Sequence, residues 1–276
     1  MSRNEPGDKP AMPGQGGGDA QLLGPDEPPP FELVNPEGSA SALLVCDHAS
    51  NRIPRGLGNL GLAPDRLIEH IAWDPGAAEV ARGLAARLDA PLLLSSYSRL
   101  VIDLNRPLAS SESIPERSAG ITIPGNLGLT RQARAARVAA LFDPYHHAIA
   151  GLLSGRTERP TLLFSIHSFT PELSGERRPW DAGVACQSDR RLADAMLYAL
   201  RLPGDVLVGD NQPYGVDDDH DHTLPTHGEG RGIPYVMIEI RQDGLGTTKD
   251  IAVWVERLAD AHENLRASAG GRFADT

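Results

Sequence analysis

The chain has few cysteines and no long hydrophobic run. Each of these features excludes a class of protein. Only two cysteines, Cys46 and Cys186, occur in 276 residues, and both lie in apolar runs that are typical of strands. We therefore expect buried, reduced thiols rather than a disulfide framework. No apolar run reaches the roughly 18 residues that suggest a membrane-spanning helix. The Gly/Pro/Asp-rich N-terminus lacks the apolar centre of a signal peptide, so the predicted location is the cytoplasm, with no membrane partner.

Positive charge is also scarce. Lys and Arg total 26 against 37 Asp and Glu, which gives a formal net charge of −11 at pH 7. Nucleic-acid binding depends on clustered Lys and Arg that neutralise phosphates, so we expect no nucleic-acid partner. Neither a P-loop nor a G-x-G-x-x-G motif follows the first predicted strand, and no internal repeat is present. Two common phosphate-binding signals are therefore missing.

Apolar residues, in contrast, are plentiful: at 40% of the chain they suffice for a sizeable core. Residues 1–30 contain GQGGGD and EPPP with almost no periodic hydrophobicity, and we predict a disordered leader there. Residues 31–268 are predicted to form a single α/β domain, followed by a flexible tail at 269–276.

Strand-like apolar runs alternate with amphipathic helical patterns through the predicted domain. The predicted strands are 42–46, 91–94, 99–104, 161–166, 183–186, 205–208 and 234–240, and the predicted helices are 75–88, 130–153, 189–200 and 248–267. This alternation predicts a three-layer α/β/α fold with a mixed, mostly parallel sheet. Two long segments, 105–129 and 209–233, interrupt it, and long loops of this kind are usually functional or disordered.

Two predicted strands run directly into a histidine. The segment TLLFSIHSFTP (161–171) is apolar until Ser165 and His167, and the first strand ends in Asp47 and His48. Ligands of open α/β sheets collect beyond the carboxyl ends of the strands, so the two histidines could converge there. Each could instead simply hydrogen-bond a nearby carbonyl.

A catalytic zinc site takes three protein ligands and leaves a fourth position for water. The best candidate for the third ligand is Asp74 in the segment AWDPG, immediately before the predicted 75–88 helix. The simpler alternative is that Asp74 caps the N-terminus of that helix.

The last predicted strand carries Glu239 between two isoleucines. A carboxylate at such a buried place is costly unless it has a partner or a function. Glu239 could be a general base that takes a proton from a metal-activated water, or it could form an ion pair with Arg241 or Arg106. Arg106, with Asn105 beside it, follows another predicted strand, where it could bind a substrate carboxylate or form an ordinary salt bridge.

The 209–233 segment is a second candidate for metal binding. Its His220, His222 and His227 accompany four aspartates within 11 residues, although such clusters are also common in solvated loops. His146 and His70 could face a cleft or pack in the core. A serine hydrolase built on Ser165 or Ser168 is less well supported, because no G-x-S-x-G motif occurs.

With these residues in place, the sequence resembles the N-formylglutamate amidohydrolase family over roughly residues 38 to 266. The resemblance rests on ordered segments: CDHASNRIP (46–54), AWDPGAAEVARGLA (72–85), SRLVIDLNRP (98–107), the stretch 126–146, SIHSFTP (165–171) and THGEGRGIPYVMIEIRQD (226–243). That family is more distantly similar to zinc carboxypeptidase and aminoacylase hydrolases. The resemblance thus implies the fold of the phosphorylase/hydrolase-like zinc exopeptidases.

The resemblance also implies residue roles. His48 and His167 match zinc ligands, and Glu239 matches the catalytic base. Carboxypeptidases carry a metal-binding glutamate three residues after the first histidine, but this chain has Asn51, a poor zinc ligand. Asp74 is the expected replacement, since related cell-wall amidases hold their metal carboxylate at a comparable place.

Substrate contacts follow from the same comparison. Asn105 and Arg106 match the pair that holds the substrate carboxylate, and Arg241 is a further candidate beside the base. His227, within the family-like THGEGRG segment, is the candidate for contact with the substrate or the transition state.

The resulting hypothesis is a zinc-dependent amidohydrolase with one metal ion per chain that acts on an N-acyl amino acid. The family's reference substrate is N-formyl-L-glutamate, and the products are formate and glutamate. The alternatives are a peptidase or cell-wall-type amidase of the same fold, and a catalytically silent binding module.

Overall fold

The computed structural model of the protein describes residues 21–157 and 160–268. Residues 1–20 of the predicted leader and the predicted tail at 269–276 lie outside the described residues. Residues 21–30, which we assigned to the leader, contact the domain. The Tyr97 hydroxyl donates to the carbonyl of Pro28 at 2.8 Å, and the Arg55 amide donates to the Glu27 carboxylate at 2.8 Å. The described structure therefore begins before the predicted domain start at residue 31.

Seven of the strands form one mixed sheet, and four short strands form two separate hairpins. The strands are β1 (Phe31–Val34), β2 (Ala42–Cys46), β3 (Leu92–Ser95), β4 (Arg117–Ser118), β5 (Ile121–Thr122), β6 (Leu162–Phe169), β7 (Glu172–Leu173), β8 (Glu176–Arg177), β9 (Ala182–Ala185), β10 (Val208–Asp210) and β11 (Tyr235–Arg241). The strand order in the main sheet is β1-β3-β2-β6-β11-β9-β10, with β3, β2, β6 and β11 parallel. β1 and β9 each run antiparallel to the strand beside them in this parallel block.

The centre of the sheet is fully covered. Every residue of β2 and of β6 is buried, as expected for strands with helices on both faces. In the register of β6 with β11, His167 lies directly beside Glu239. The two strand-end residues predicted to carry the chemistry are therefore neighbours in the middle of the sheet.

Helices cover both faces. They are α1 (Ala77–Leu88), α2 (Arg131–Arg137), α3 (Asp143–Ser154), α4 (Arg191–Arg201), α5 (Thr223–His227) and α6 (Thr248–Ser268), with a π-helical turn at Val138–Phe142 between α2 and α3. On one face α6 packs against α1 and α4, and its His262 meets the ring of Phe164 in β6. Side chains alternate across a strand, so Ser165 points to the other face, where α5 contacts β6 and β11 and α3 packs on α5. The predicted three-layer α/β/α fold is confirmed.

The predicted strand at 99–104 is wrong, and the predicted strand at 205–208 shares only Val208 with β10. Residues 99–104 form buried turns rather than a strand, because their backbone groups find partners outside the sheet. The Asn126 side-chain amide donates to the carbonyl of Leu100 at 2.8 Å, and the Arg137 guanidinium donates to that of Val101 at 2.8 Å. An apolar run can therefore reflect a loop buried under a neighbouring segment as readily as a strand.

Two further expectations concern cysteines and membrane spans. Cys46 and Cys186 are free and buried, as predicted. Within 21–157 and 160–268, no helix combines the length and apolar character needed to span a membrane.

Candidate active site

The structure brings the three predicted metal ligands together. His48 follows β2, His167 lies in β6, and Asp74 precedes α1; one ligand atom from each lies within 4.8 Å of the others. All three side chains are buried. The convergence follows from the sheet, because β2 and β6 are adjacent and parallel and end at the same edge.

Asp74 does not cap α1. The N-cap residue of that helix is Gly76, whose φ of 82° is in the left-handed region. A Cβ atom on Gly76 would lie 2.7 Å from the Cβ of Leu245, so this turn requires glycine for both backbone and steric reasons. The turn leaves the Asp74 carboxylate free to face the histidines, with its backbone amide donating to the His48 carbonyl at 3.0 Å.

Both imidazoles present the same ring nitrogen to Asp74. The Oδ2 atom of Asp74 lies 3.3 Å from Nδ1 of His48 and 2.9 Å from Nδ1 of His167. The opposite ring nitrogens face outer carboxylates: Nε2 of His48 lies 2.8 Å from Asp103, and Nε2 of His167 lies 3.3 Å from Asp47. Metal-binding histidines usually hold their second nitrogen in this way, so the cluster has the donor set and the orientation of a divalent metal site.

The carboxylates control the ionisation of the cluster. Burial and the charge of Arg99 act to lower the pKa of His48, but Asp103 and Asp74 outweigh them and raise it. Burial likewise opposes the shift of the His167 pKa, which Asp47 and Asp74 raise well above its usual value. Metal ligands must lose their protons on binding, so a cation would take the place of protons among these groups.

Glu239 is a buried carboxylate with no ion-pair partner among the described residues. Its Oε2 atom has no hydrogen-bond partner, and burial raises its pKa to about 7. Neither arginine that could have neutralised it does so. Arg241 pairs with Asp181 and Asp243, and Arg106 pairs with Glu112. A buried carboxylate with a raised pKa and no ion pair is a candidate functional group rather than part of a structural ion pair.

A cavity of about 440 Å³ contains the cluster and Glu239. Its other lining residues include His70, Arg99, Asn105, Arg106, Ser168, Tyr214, Asp217, His220 and Asp221. Arg106 reaches the cavity with its guanidinium 3.1 Å from Glu112, which is largely exposed. An exposed ion pair of this kind is weak, and Arg106 also donates to the backbone carbonyl of His220 and lies 3.8 Å from the Asp221 carboxylate.

Asn105 lines the cavity, but its polar side-chain atoms have partners within the chain. Its side-chain amide donates to Asp221 at 2.8 Å, and its oxygen accepts from the backbone amides of His222 and Thr223. Asn105 therefore holds the 217–223 segment against the cavity, rather than presenting free polar atoms to a substrate.

Two predicted site residues do not line this cavity. Arg241 lines a separate pocket beside Asp243 and Trp254. His227 is buried behind the cavity wall, with its Nε2 atom 3.1 Å from Nδ1 of His146. The position of a residue near the end of a strand therefore does not by itself show whether its side chain reaches the cavity.

Of the other histidines in the acidic loop, only His220 lines the cavity, and none joins the metal cluster identified within the described residues. His222 packs its ring against those of Phe142 and His146. Asn51, which replaces the carboxypeptidase glutamate, donates to the carbonyl of Leu67 and takes no part in the cluster.

Sequence reasoning missed the residues that surround the ligands. Asp47 and Asp103 were visible at predicted strand ends in the quoted motifs, but no role was assigned to them. Arg99 and Tyr214 carried no signal of their own, because their placement depends on how loops fold over the sheet.

Fold and site together define an α/β protein whose central parallel strands hold a His-Asp-His cluster beside a buried glutamate. The chain belongs to the N-formylglutamate amidohydrolase family, a family of amide hydrolases, whose sequence model matches residues 40–245.

The solved structures that are similar to it include the following two. The gene product Atu2144 from Agrobacterium tumefaciens has 38% identity and a TM-score of 0.86, with 90% of this chain and 98% of that chain covered. N-formylglutamate amidohydrolase from Ralstonia eutropha has 20% identity and a TM-score of 0.68, with 87% and 99% covered, a likeness that shows the fold. No curated protein matches the chain significantly.

Proposed function

We propose that the protein is a metal-dependent amidohydrolase that cleaves the amide bond of an N-acyl amino acid in the cytoplasm. The reference substrate is N-formyl-L-glutamate, which gives formate and glutamate. One observation carries the proposal: the buried cluster of His48, Asp74 and His167 shares a cavity with Glu239, a buried carboxylate without a partner. Family membership supports the class of reaction.

The residues present fit a zinc ion. Two imidazole nitrogens and one carboxylate oxygen form the ligand set of many catalytic zinc sites, and Oδ1 of Asp74 has no hydrogen-bond partner. Zinc held there, one ion per chain, would polarise the acyl carbonyl and make water acidic enough to react near neutral pH. Mixed His/carboxylate sites also accept other divalent metals.

The side chains around the cluster can perform the remaining steps. Glu239, with a pKa of about 7, takes a proton from the attacking water and returns it to the departing amine. Arg106 binds the α-carboxylate and orients the amide. His227 acts indirectly, because it contacts His146, which lies 2.8 Å from the carbonyl of Leu104 beside Asn105.

The size of the cavity favours a small substrate. About 440 Å³ falls within the usual range of small-molecule sites, roughly 300–1,000 Å³. A peptidase or a cell-wall-type amidase would have to accommodate a larger substrate. A silent binding module would not need the general base that Glu239 provides.

The test is to measure zinc content and formate release from N-formyl-L-glutamate in wild type and variants. We expect about one zinc per chain and formate release in the wild type and in Asp65→Ala, which changes an exposed aspartate that does not line the cavity. Asp74→Ala should lose both. Glu239→Gln should keep the metal but lose roughly 10²- to 10⁴-fold in turnover.

Each other outcome has a defined meaning. Metal without formate release would direct the search to other acyl groups, including acetyl and peptidyl amides. Full turnover in Glu239→Gln would show that the assigned base is wrong. A folded protein without metal or activity would favour the binding module.

A further inference from the structure

Arg178 carries a buried positive charge that nothing nearby neutralises. The residue is 9% exposed, and its Nη1 atom is buried without a hydrogen-bond partner. In the described part of the chain, no carboxylate pairs with its guanidinium, whereas Arg99 pairs with Asp103 at 2.7 Å and Arg106 with Glu112 at 3.1 Å. A buried charge without a counter-ion is costly, so an anion from outside is the missing partner.

The position of Arg178 connects it to the active-site cavity. Its guanidinium lies 4.7 Å from the ring centre of Tyr214 and 5.7 Å from that of Phe169. Tyr214 lines the cavity, and Phe169 is the last residue of β6, two positions after His167. The two rings hold the guanidinium plane by cation–π contacts, so its orientation is set before any ligand arrives.

Three buried polar atoms lack a hydrogen-bond partner: Oδ1 of Asp74, Oε2 of Glu239 and Nη1 of Arg178. The first two belong to the proposed metal ligand and base. The third is a donor, and a planar guanidinium matches a carboxylate better than any other ligand group. Tyr214 lines the cavity and also contacts this guanidinium, so one side chain connects the cavity with Arg178.

We propose that Arg178 is the specificity-determining residue that binds the side-chain carboxylate of the substrate. The site would then select N-acyl amino acids with an acidic side chain over their neutral amide analogues. The inference rests on the proposed function: Arg106 holds the α-carboxylate, and Arg178 holds the second one. The proposal also explains how a cavity bordered by Asp217 and Asp221 accepts a substrate with two carboxylates. The positive charge of Arg178, which has no counter-ion, would offset the negative charge of these aspartates.

The test compares N-formyl-L-glutamate with N-formyl-L-glutamine, which has nearly the same shape without the charge. We expect wild type to favour the glutamate compound, and Arg178→Met to reduce that ratio of kcat/KM values by about 10- to 100-fold. Most of the change should be in KM for the glutamate compound. Arg178→Lys, which keeps the charge, should retain part of the preference. Arg177→Met, which changes an exposed neighbour, should match wild type.

A binding measurement separates this proposal from the proposed function. The amino acids glutamate and glutamine are titrated by calorimetry into zinc-loaded wild type and Arg178→Met, both checked for an unchanged melting temperature. Weaker binding of glutamate alone in Arg178→Met would support the role of Arg178 even if no hydrolysis were found. An unchanged glutamate-to-glutamine ratio in the variant, in binding or in turnover, would overturn it while leaving the amidohydrolase intact. If Arg178→Met is unstable, Arg178→Gln also removes the charge and gives the same comparison.

Discussion

At the scale of single residues, the metal cluster depends on aspartates that are not themselves ligands. Asp103 lies between Nε2 of His48 and the guanidinium of Arg99, at 2.8 and 2.7 Å. Asp47 contacts His167 and also accepts from the hydroxyl of Thr223 at 2.9 Å. These contacts select which nitrogen of each ring faces Asp74, and therefore which nitrogen is available to a metal.

Replacing Asp103 with asparagine tests this dependence. Asparagine keeps the shape but loses the charge that orients His48, so we expect zinc affinity to fall roughly 10- to 100-fold, measured by competition with a chelator. Asp181→Asn is the matched control, because Asp181 also pairs with an arginine, Arg241, at 3.0 Å but contacts no histidine. Wild-type zinc affinity in Asp103→Asn would show that the outer carboxylate does not position His48.

At the scale of elements, the turn that precedes α1 positions the carboxylate of the cluster. The sequence AWDPG favoured two interpretations of Asp74, an N-cap and a ligand, because both place an aspartate before a helix. The choice depends on Gly76, whose left-handed backbone starts the helix two residues later. The segment 99–104 was ambiguous in the same way. Its apolar content was evident from the sequence and suggested a strand, but its hydrogen bonds to Asn126 and Arg137 were not evident.

The contribution of this turn to stability and to zinc binding can be measured by comparing substitutions at two glycines with nearly equal φ. Gly76 has φ 82° and Gly120 has φ 80°, but only at Gly76 does an added Cβ meet another side chain, 2.7 Å from Leu245. Alanine at either site should cost about 1–2 kcal/mol in the free energy of unfolding for the left-handed backbone. Gly76→Ala should cost more and should also weaken zinc binding, as followed by denaturant titration and zinc competition. Equal effects of the two substitutions on both measurements would contradict this account.

At the scale of the whole molecule, the cluster joins segments that are far apart in the chain. His48 and Asp74 are separated by 26 residues, and Asp74 and His167 by 93. The ligands meet only in the folded chain, so metal binding should stabilise the fold. At a free zinc concentration 100 times Kd, this linkage amounts to about 2.7 kcal/mol.

Thermal unfolding measures this linkage directly. We expect zinc to raise the Tm of the metal-free protein by roughly 5–10 °C for a domain of this size. Asp74→Ala should show little shift, and Asp65→Ala should behave as wild type. A zinc effect of equal size in Asp74→Ala would place the metal elsewhere on the chain.

The sequence by itself determined the alternation of strands and helices, the apolar character of the central strands, and the histidines at the ends of two of them. These features depend on local periodicity and on the tendency of functional residues to lie at the ends of strands. The sequence of a single chain is therefore enough to predict them. The family followed from the same motifs and was confirmed.

Tertiary structure alone decided which polar side chains meet. The order of β2, β6 and β11 placed His167 beside Glu239, while loop packing turned Asn105 toward the 217–223 segment and left Arg178 without a partner. Arg241 and His227 stand in equally suggestive motifs, but their side chains lie outside the cavity. The reason is physical: a side chain's direction depends on strand order and on contacts between distant segments, which local sequence patterns do not contain.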